Sequence, residues 1–252
     1  MTRVIVVASG KGGAGKTTLV ANLASALSEF GCNVIAVDCN MTTSNLGLHL
    51  GIPMYPKTLQ DVLDGKARIK DAMYFHPRGF KILPSDVSLS KSIVPRAHDL
   101  VDVFFKLVGE TDFVLIDSAA GLGHEALASL DAADELLIVT NPELPALTDA
   151  LKLKRLAENY ATHNLGVVVN KVKKESSEYH AADIEAYLDS PIMGIIPDDP
   201  AVRDSIAMKE PVVISKPNSK AALQMKLIAA QLAGIEYQAK VPLSHRLFGW
   251  LK

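Results

Sequence analysis

Six short apolar runs, at 4–7, 34–37, 113–116, 136–139, 167–169 and 192–196, punctuate the chain. Each is apolar throughout instead of alternating, which marks strands buried on both faces, and helix-length segments separate them. The pattern predicts a doubly wound α/β fold around a mostly parallel sheet. Helices are expected over 17–30, 144–162, 201–208 and 220–233, with a short one near 59–63, whereas 54–91 shows no comparable regularity. Five runs lead into a polar residue, namely Ser9, Asp38, Asp117, Thr140 and Asn170, and the sixth into Pro197. Ligands of open α/β sheets bind outside the carboxyl ends of the strands, so these residues are expected to converge on one crevice.

Composition narrows the class. With 252 residues, 48% of them apolar and 21% charged, the chain can bury one large core. One domain is expected over 1–234, followed by a tail over 235–252. A net charge of −2 argues against broad electrostatic capture of nucleic acid. The two cysteines, Cys32 and Cys39, form no C-x-x-C pair and are too few for a disulfide framework or a four-cysteine metal site. They read as reduced thiols in or near the core. No apolar stretch approaches the roughly 20 residues that span a bilayer, and a secretory leader pattern is missing, so an intracellular protein is expected.

Between the first strand and the first helix stands Gly10-Lys11-Gly12-Gly13-Ala14-Gly15-Lys16-Thr17-Thr18, which fits the phosphate-loop pattern G-x-x-x-x-G-K-[ST]. In such a loop backbone N–H groups cradle phosphate oxygens, Lys16 reaches the outer phosphates and Thr17 offers its hydroxyl to Mg²⁺. The dipole of the following helix favours the same anion. A nucleoside triphosphate is the expected ligand.

Two further motifs follow in order: Asp38-Cys-Asn40-Met-Thr-Thr-Ser-Asn45-Leu-Gly-Leu, then Leu115-Ile-Asp117-Ser-Ala-Ala-Gly121. With Thr140-Asn-Pro-Glu143, Asn170-Lys171 and Ile196-Pro197-Asp198-Asp199-Pro200, the combination resembles the deviant Walker A ATPases of the MinD/ParA group, and within it the MinD branch. The resemblance runs from the first strand to about Val213. It implies that Lys11 reaches across a dimer to the partner's nucleotide, giving an ATP-sandwich homodimer in which the lysines offset repulsion between two triphosphates. Asp117 is placed to hold Mg²⁺ through a water, with a helix-capping aspartate as the competing reading. Gly121 can present its amide to a γ-phosphate, or simply make a tight turn. Asp38 is the candidate for positioning or deprotonating the attacking water. Many MinD proteins carry a second aspartate where this chain has Asn40, which orients water but cannot accept its proton, so slow turnover is expected. The catalytic set is thus Lys11, Lys16, Asp38 and Asn40. Base recognition is assigned to Asn170 and the backbone around Pro197, Asp198 and Asp199. Lys173 stands where a guanine-reading loop would carry aspartate, which favours adenine.

The tail changes character after Gly234. On a helical projection of 243–252, Leu243, Leu247, Phe248, Trp250 and Leu251 share one side, while His245, Arg246, Gly249 and Lys252 share the other. A basic amphipathic helix carrying the chain's one tryptophan has the composition of a segment lying in a membrane interface, and it resembles the MinD membrane-targeting tail. The competing readings are a last helix docked on the body and a frayed end. Burial of five large apolar side chains contributes up to roughly 10 kcal/mol, much of it offset by ordering the tail, so one tail binds weakly and reversibly. Two tails on one dimer multiply avidity by about 10² or more. The expected function is a cytoplasmic ATPase that uses ATP and Mg²⁺, dimerises, associates with the inner face of the cell membrane and positions machinery such as the division site. An activating or cargo protein is the further partner. A DNA-partition ATPase of ParA type, relying on the Lys171–Lys174 cluster, and a flagellar or polar-organelle number regulator are the alternatives.

Overall fold

The computed structural model describes residues 1–52, 54–86 and 97–238. The proposed membrane residues Leu243, Leu247, Phe248, Trp250 and Leu251 lie outside the described residues.

Strand β1 (Arg3–Ala8) shows why the apolar runs become central strands: Val4, Val6 and Ala8 enter one core and Ile5 and Val7 the other. The sheet is completed by β2 (Val34–Asp38), β3 (Tyr74–Phe75), β4 (Lys81–Leu83), β5 (Phe113–Asp117), β6 (Glu135–Thr140), β7 (His163–Val172) and β8 (Ile192–Pro197), in the order β3-β4-β2-β5-β1-β6-β7-β8. All neighbours are parallel except the edge strand β3, which runs antiparallel to β4.

Helices α1 (Lys16–Glu29), α2 (Leu46–His49), α8 (Pro200–Ala207), α9 (Val212–Ser215) and α10 (Lys220–Ala233) pack on one face. On the other lie α3 (Leu59–Leu63), α4 (Ala97–Phe105), α5 (His124–Asp131), α6 (Leu144–Ala157) and α7 (Ala181–Leu188). Helices α2, α4, α5, α7 and α9 and strands β3 and β4 go beyond the elements expected from the sequence, and the irregular stretch 54–91 holds the short sheet extension. The helix expected over 144–162 ends at Ala157, and Thr162 donates to the Leu130 carbonyl just before β7 begins. Cys39 is buried and Cys32 half-buried, both as free thiols.

Register positions the chemistry. Asp38 pairs with Asp117 across β2 and β5, and Val7 pairs with Asp117 across β1 and β5. Both carboxylates therefore stand at the carboxyl edge beside the loop that leaves β1, where the strand order reverses.

Candidate nucleotide site

Two glycines fix the shape of the loop between β1 and α1. Gly15 has φ +101°, and a Cβ there would sit 2.2 Å from Asn170 Nδ2. A Cβ on Gly10 would come within 2.4 Å of the Asp149 backbone in α6. Only glycine lets the loop pass this close to its neighbours. Lys16 Nζ donates to Ser9 Oγ at 3.0 Å, and Ser9 Oγ donates to the Lys11 carbonyl at 2.7 Å. Lys16 is buried, and desolvation lowers its pKa against the opposing pull of Asp117.

The end of β7 braces the loop from outside. Asn170 Nδ2 donates to the Ala14 carbonyl at 2.7 Å, its Oδ1 accepts from Lys171 N at 2.9 Å, and Lys171 Nζ donates to the Gly13 carbonyl at 2.7 Å. The side chain expected to read the base thus also holds the phosphate loop.

Asp38 is fully buried, and its carboxylate accepts from Ser44 Oγ at 2.7 Å and from the amides of Asn40 at 3.0 Å, Leu46 at 3.1 Å and Asn45 at 3.2 Å. Burial raises its pKa, and these bonds oppose the rise. In this geometry Asp38 anchors the 40–46 loop and does not face the crevice as an open base. The Asn40 side chain is likewise engaged: Nδ2 donates to the Thr43 carbonyl at 2.8 Å and Oδ1 accepts from Thr43 Oγ1 at 2.9 Å.

Asp117 differs in kind. Both its oxygens are buried and lack a hydrogen-bond partner among the described residues. Burial first, and the neighbouring Asp38 charge second, push its pKa up to about 8. The Thr17 hydroxyl and the Lys16 ammonium offset part of that rise, although the hydroxyl makes no geometrically formed hydrogen bond to the carboxylate. An orphaned carboxylate beside a hydroxyl and a phosphate loop is a donor set for a hard divalent cation, so Asp117 and Thr17 fit Mg²⁺.

The crevice in front of these groups has a volume of about 760 Å³, within the range of small-molecule sites. Lys11, Gly12, Gly13, Gly15, Lys16, Thr17, Thr18, Asn40, Asn170, Pro197, Asp198 and Asp199 line it together. Gly10, Ala14, Asp38, Asp117 and Gly121 stand behind that lining. The Gly121 amide donates to the Ser9 carbonyl at 3.1 Å, which is the tight turn of its two readings and ties the loop after β5 to the phosphate loop. Asp199 is equally structural, accepting from Ala201 N at 2.9 Å and Ala221 N at 3.2 Å. Sequence reasoning gave no site role to Lys171, His49 and Glu143. Glu143 meets Lys11 at 3.6 Å, and His49 Nε2 lies 3.5 Å from Thr18 Oγ1. Lys171 and Glu143 belong to motifs that the sequence displayed, Asn170-Lys171 and Thr140-Asn-Pro-Glu143, but their partners are remote in the chain.

Known proteins share this fold and much of this sequence. The family model for the CobQ/CobB/MinD/ParA nucleotide-binding domain matches residues 5–213. An uncharacterised ATP-binding protein of Methanocaldococcus jannaschii is 42% identical over 241 residues, covering 96% of this chain and 91% of the relative. The septum site-determining protein MinD of Pyrococcus horikoshii, solved with Mg-ADP, superposes with a TM-score of 0.88 at 37% identity, over 92% of this chain and 96% of that one. The MinC:MinD cell division complex of Aquifex aeolicus matches with a TM-score of 0.82 at 31% identity, over 95% and 98%. ATP and Mg²⁺ are accordingly the ligand and metal for which this crevice is built. The chain belongs to the CobQ/CobB/MinD/ParA family of P-loop nucleotide-binding proteins, as a MinD-like ATPase.

Proposed function

We propose that this ATPase is a positioning switch: it binds Mg-ATP, closes into a homodimer across the crevice, associates with the membrane through 243–252, and hydrolyses ATP slowly to release both contacts. The observation that carries the reading is Lys11. Its side chain is 35% exposed at the mouth of the crevice and is paired at 3.6 Å with Glu143, itself 62% exposed. A pair this open to water holds the lysine by only about 0–1 kcal/mol, so the ammonium is free to exchange Glu143 for a partner's phosphates. Exchange of a weak internal counterion for two triphosphates couples dimerisation to ATP.

Within each protomer, Lys16 and the loop amides bind and orient the triphosphate. Thr17 and, through a water, Asp117 would hold Mg²⁺, which would supply neutralisation of phosphate charge when bound. Asp38 acts as a positioning residue, since it sets the 40–46 loop that carries Asn40 to the crevice. Asn40 orients the attacking water without taking its proton, which keeps intrinsic turnover slow. The Aquifex relative solved with MinC supports a protein partner, and the MinD relatives support a role in placing the division site.

Sedimentation with anionic vesicles, run in parallel with duplex DNA under ATP, ADP and no nucleotide, tests the switch. ATP-dependent pelleting with vesicles, lost when the chain is truncated after Val241, is the expected result. Binding to DNA with none to vesicles overturns it in favour of a partition ATPase.

A further inference from the structure

A second cavity, of about 290 Å³, opens at the other end of the sheet. Ile35 stands near the start of β2, Lys81 begins β4, and Leu107 and Glu110 lie in the connection from α4 to β5. These are amino ends of strands, whereas the nucleotide crevice lies at the carboxyl ends. The floor is apolar, formed by buried Ile35, Ile69 and Leu107 with half-buried Met73. Its rim carries Lys70, Lys81 and Lys106, and Glu110 is the one acid among the described residues that line it.

None of the three lysines forms an ion pair among the described residues. The acid nearest Lys70 in sequence, Asp71, is committed to Arg68 at 2.8 Å. One aromatic side chain stands open here: Phe75, in the cavity wall, is 69% exposed. An apolar floor, an exposed aromatic side chain and a rim with three cations to one acid are the features of a recognition surface, with charge selecting the partner.

We propose that this cavity docks an acidic segment of a partner protein, which seats a large apolar side chain on the floor and places flanking carboxylates against Lys70, Lys81 and Lys106. Concavity decides between a peptide and a lipid surface. A bilayer receives protruding apolar groups, whereas a cavity with a buried aliphatic floor receives one inserted from the partner. Because the cavity lies at the end of the sheet remote from the crevice, a dimer closed across the crevice leaves it open. Loss of ATP-dependent vesicle binding would leave this site standing, and its own failure leaves the ATPase intact.

The test is a phage-displayed random peptide library selected on the full chain with saturating Mg-ADP, followed by fluorescence anisotropy of the synthetic consensus peptide. The expected consensus is a large apolar residue flanked by Asp or Glu. Its affinity should fall roughly tenfold or more in Lys81→Glu/Lys106→Glu and persist in Lys81→Arg/Lys106→Arg, with Mg-ADP affinity unchanged in both. A consensus without acids, or binding indifferent to the charge reversal, overturns the proposal. So does a reversal that lowers the full chain's sedimentation with phosphatidylglycerol vesicles while selection enriches no acidic peptide, since the occupant is then lipid.

Discussion

At Asp117 the requirements of folding and of ligand binding pull apart. A carboxylate with both oxygens buried and unpaired among the described residues opposes folding until a cation arrives. Its folded pKa of about 8 exceeds the ordinary value near 4, so the folded chain retains a proton that the unfolded chain has lost. The stability this group contributes is complete below about pH 4 and is lost as pH rises through about 8. Asp117→Asn should therefore stabilise the nucleotide-free protein most at pH 8.5 and least at pH 4. Thermal melts across that range, with and without Mg-ATP, measure it, and the variant should gain nothing from Mg²⁺. Lys16 and Asp117 were legible from residue type and spacing. The fourfold anchoring of Asp38 was not, because three of its donors are backbone amides, which every residue carries, and only the path of the 40–46 loop turns them toward the carboxylate.

Among the elements, the central strands were readable because burial on both faces leaves an unbroken apolar run, as in Val34–Asp38. The two residues of β3 and three of β4 are too short to carry a period, and the partly exposed helices α4 and α7 mix apolar and charged positions too closely for their boundaries to show. Asp199 shows how elements are joined beyond sequence patterning: one carboxylate caps α8 through Ala201 and reaches the first turn of α10 through Ala221. Asp199→Ala should destabilise the protein by about 1–2 kcal/mol, since it removes the cap and leaves a second amide without its acceptor. Chemical denaturation should show a lower midpoint at unchanged slope. An unaltered midpoint would mean that water replaces both bonds.

For the whole molecule, the decisive contact is one that a single chain satisfies only provisionally. Lys11 rests on Glu143 in the protomer, and the proposed dimer moves it to another chain's nucleotide. Lys11→Ala should keep ATP affinity within a few-fold, because Lys16 and the loop amides remain, yet lose the ATP-dependent shift from monomer to dimer in sedimentation velocity. A variant that still dimerises with ATP would remove Lys11 from the interface. By itself the sequence determined the fold class, the phosphate-loop pattern and the family, because each rests on local signals: apolar runs, fixed glycine spacing and an acid at the end of a strand. Only the tertiary structure decided which of those groups face the crevice and which brace it, that Asp38 and Asn170 hold loops, and that three lysines from separate segments ring one cavity. Those facts depend on register and on hydrogen bonds between residues as far apart as Ala14 and Asn170. Side-chain identity names a possible donor or acceptor, and packing chooses its partner.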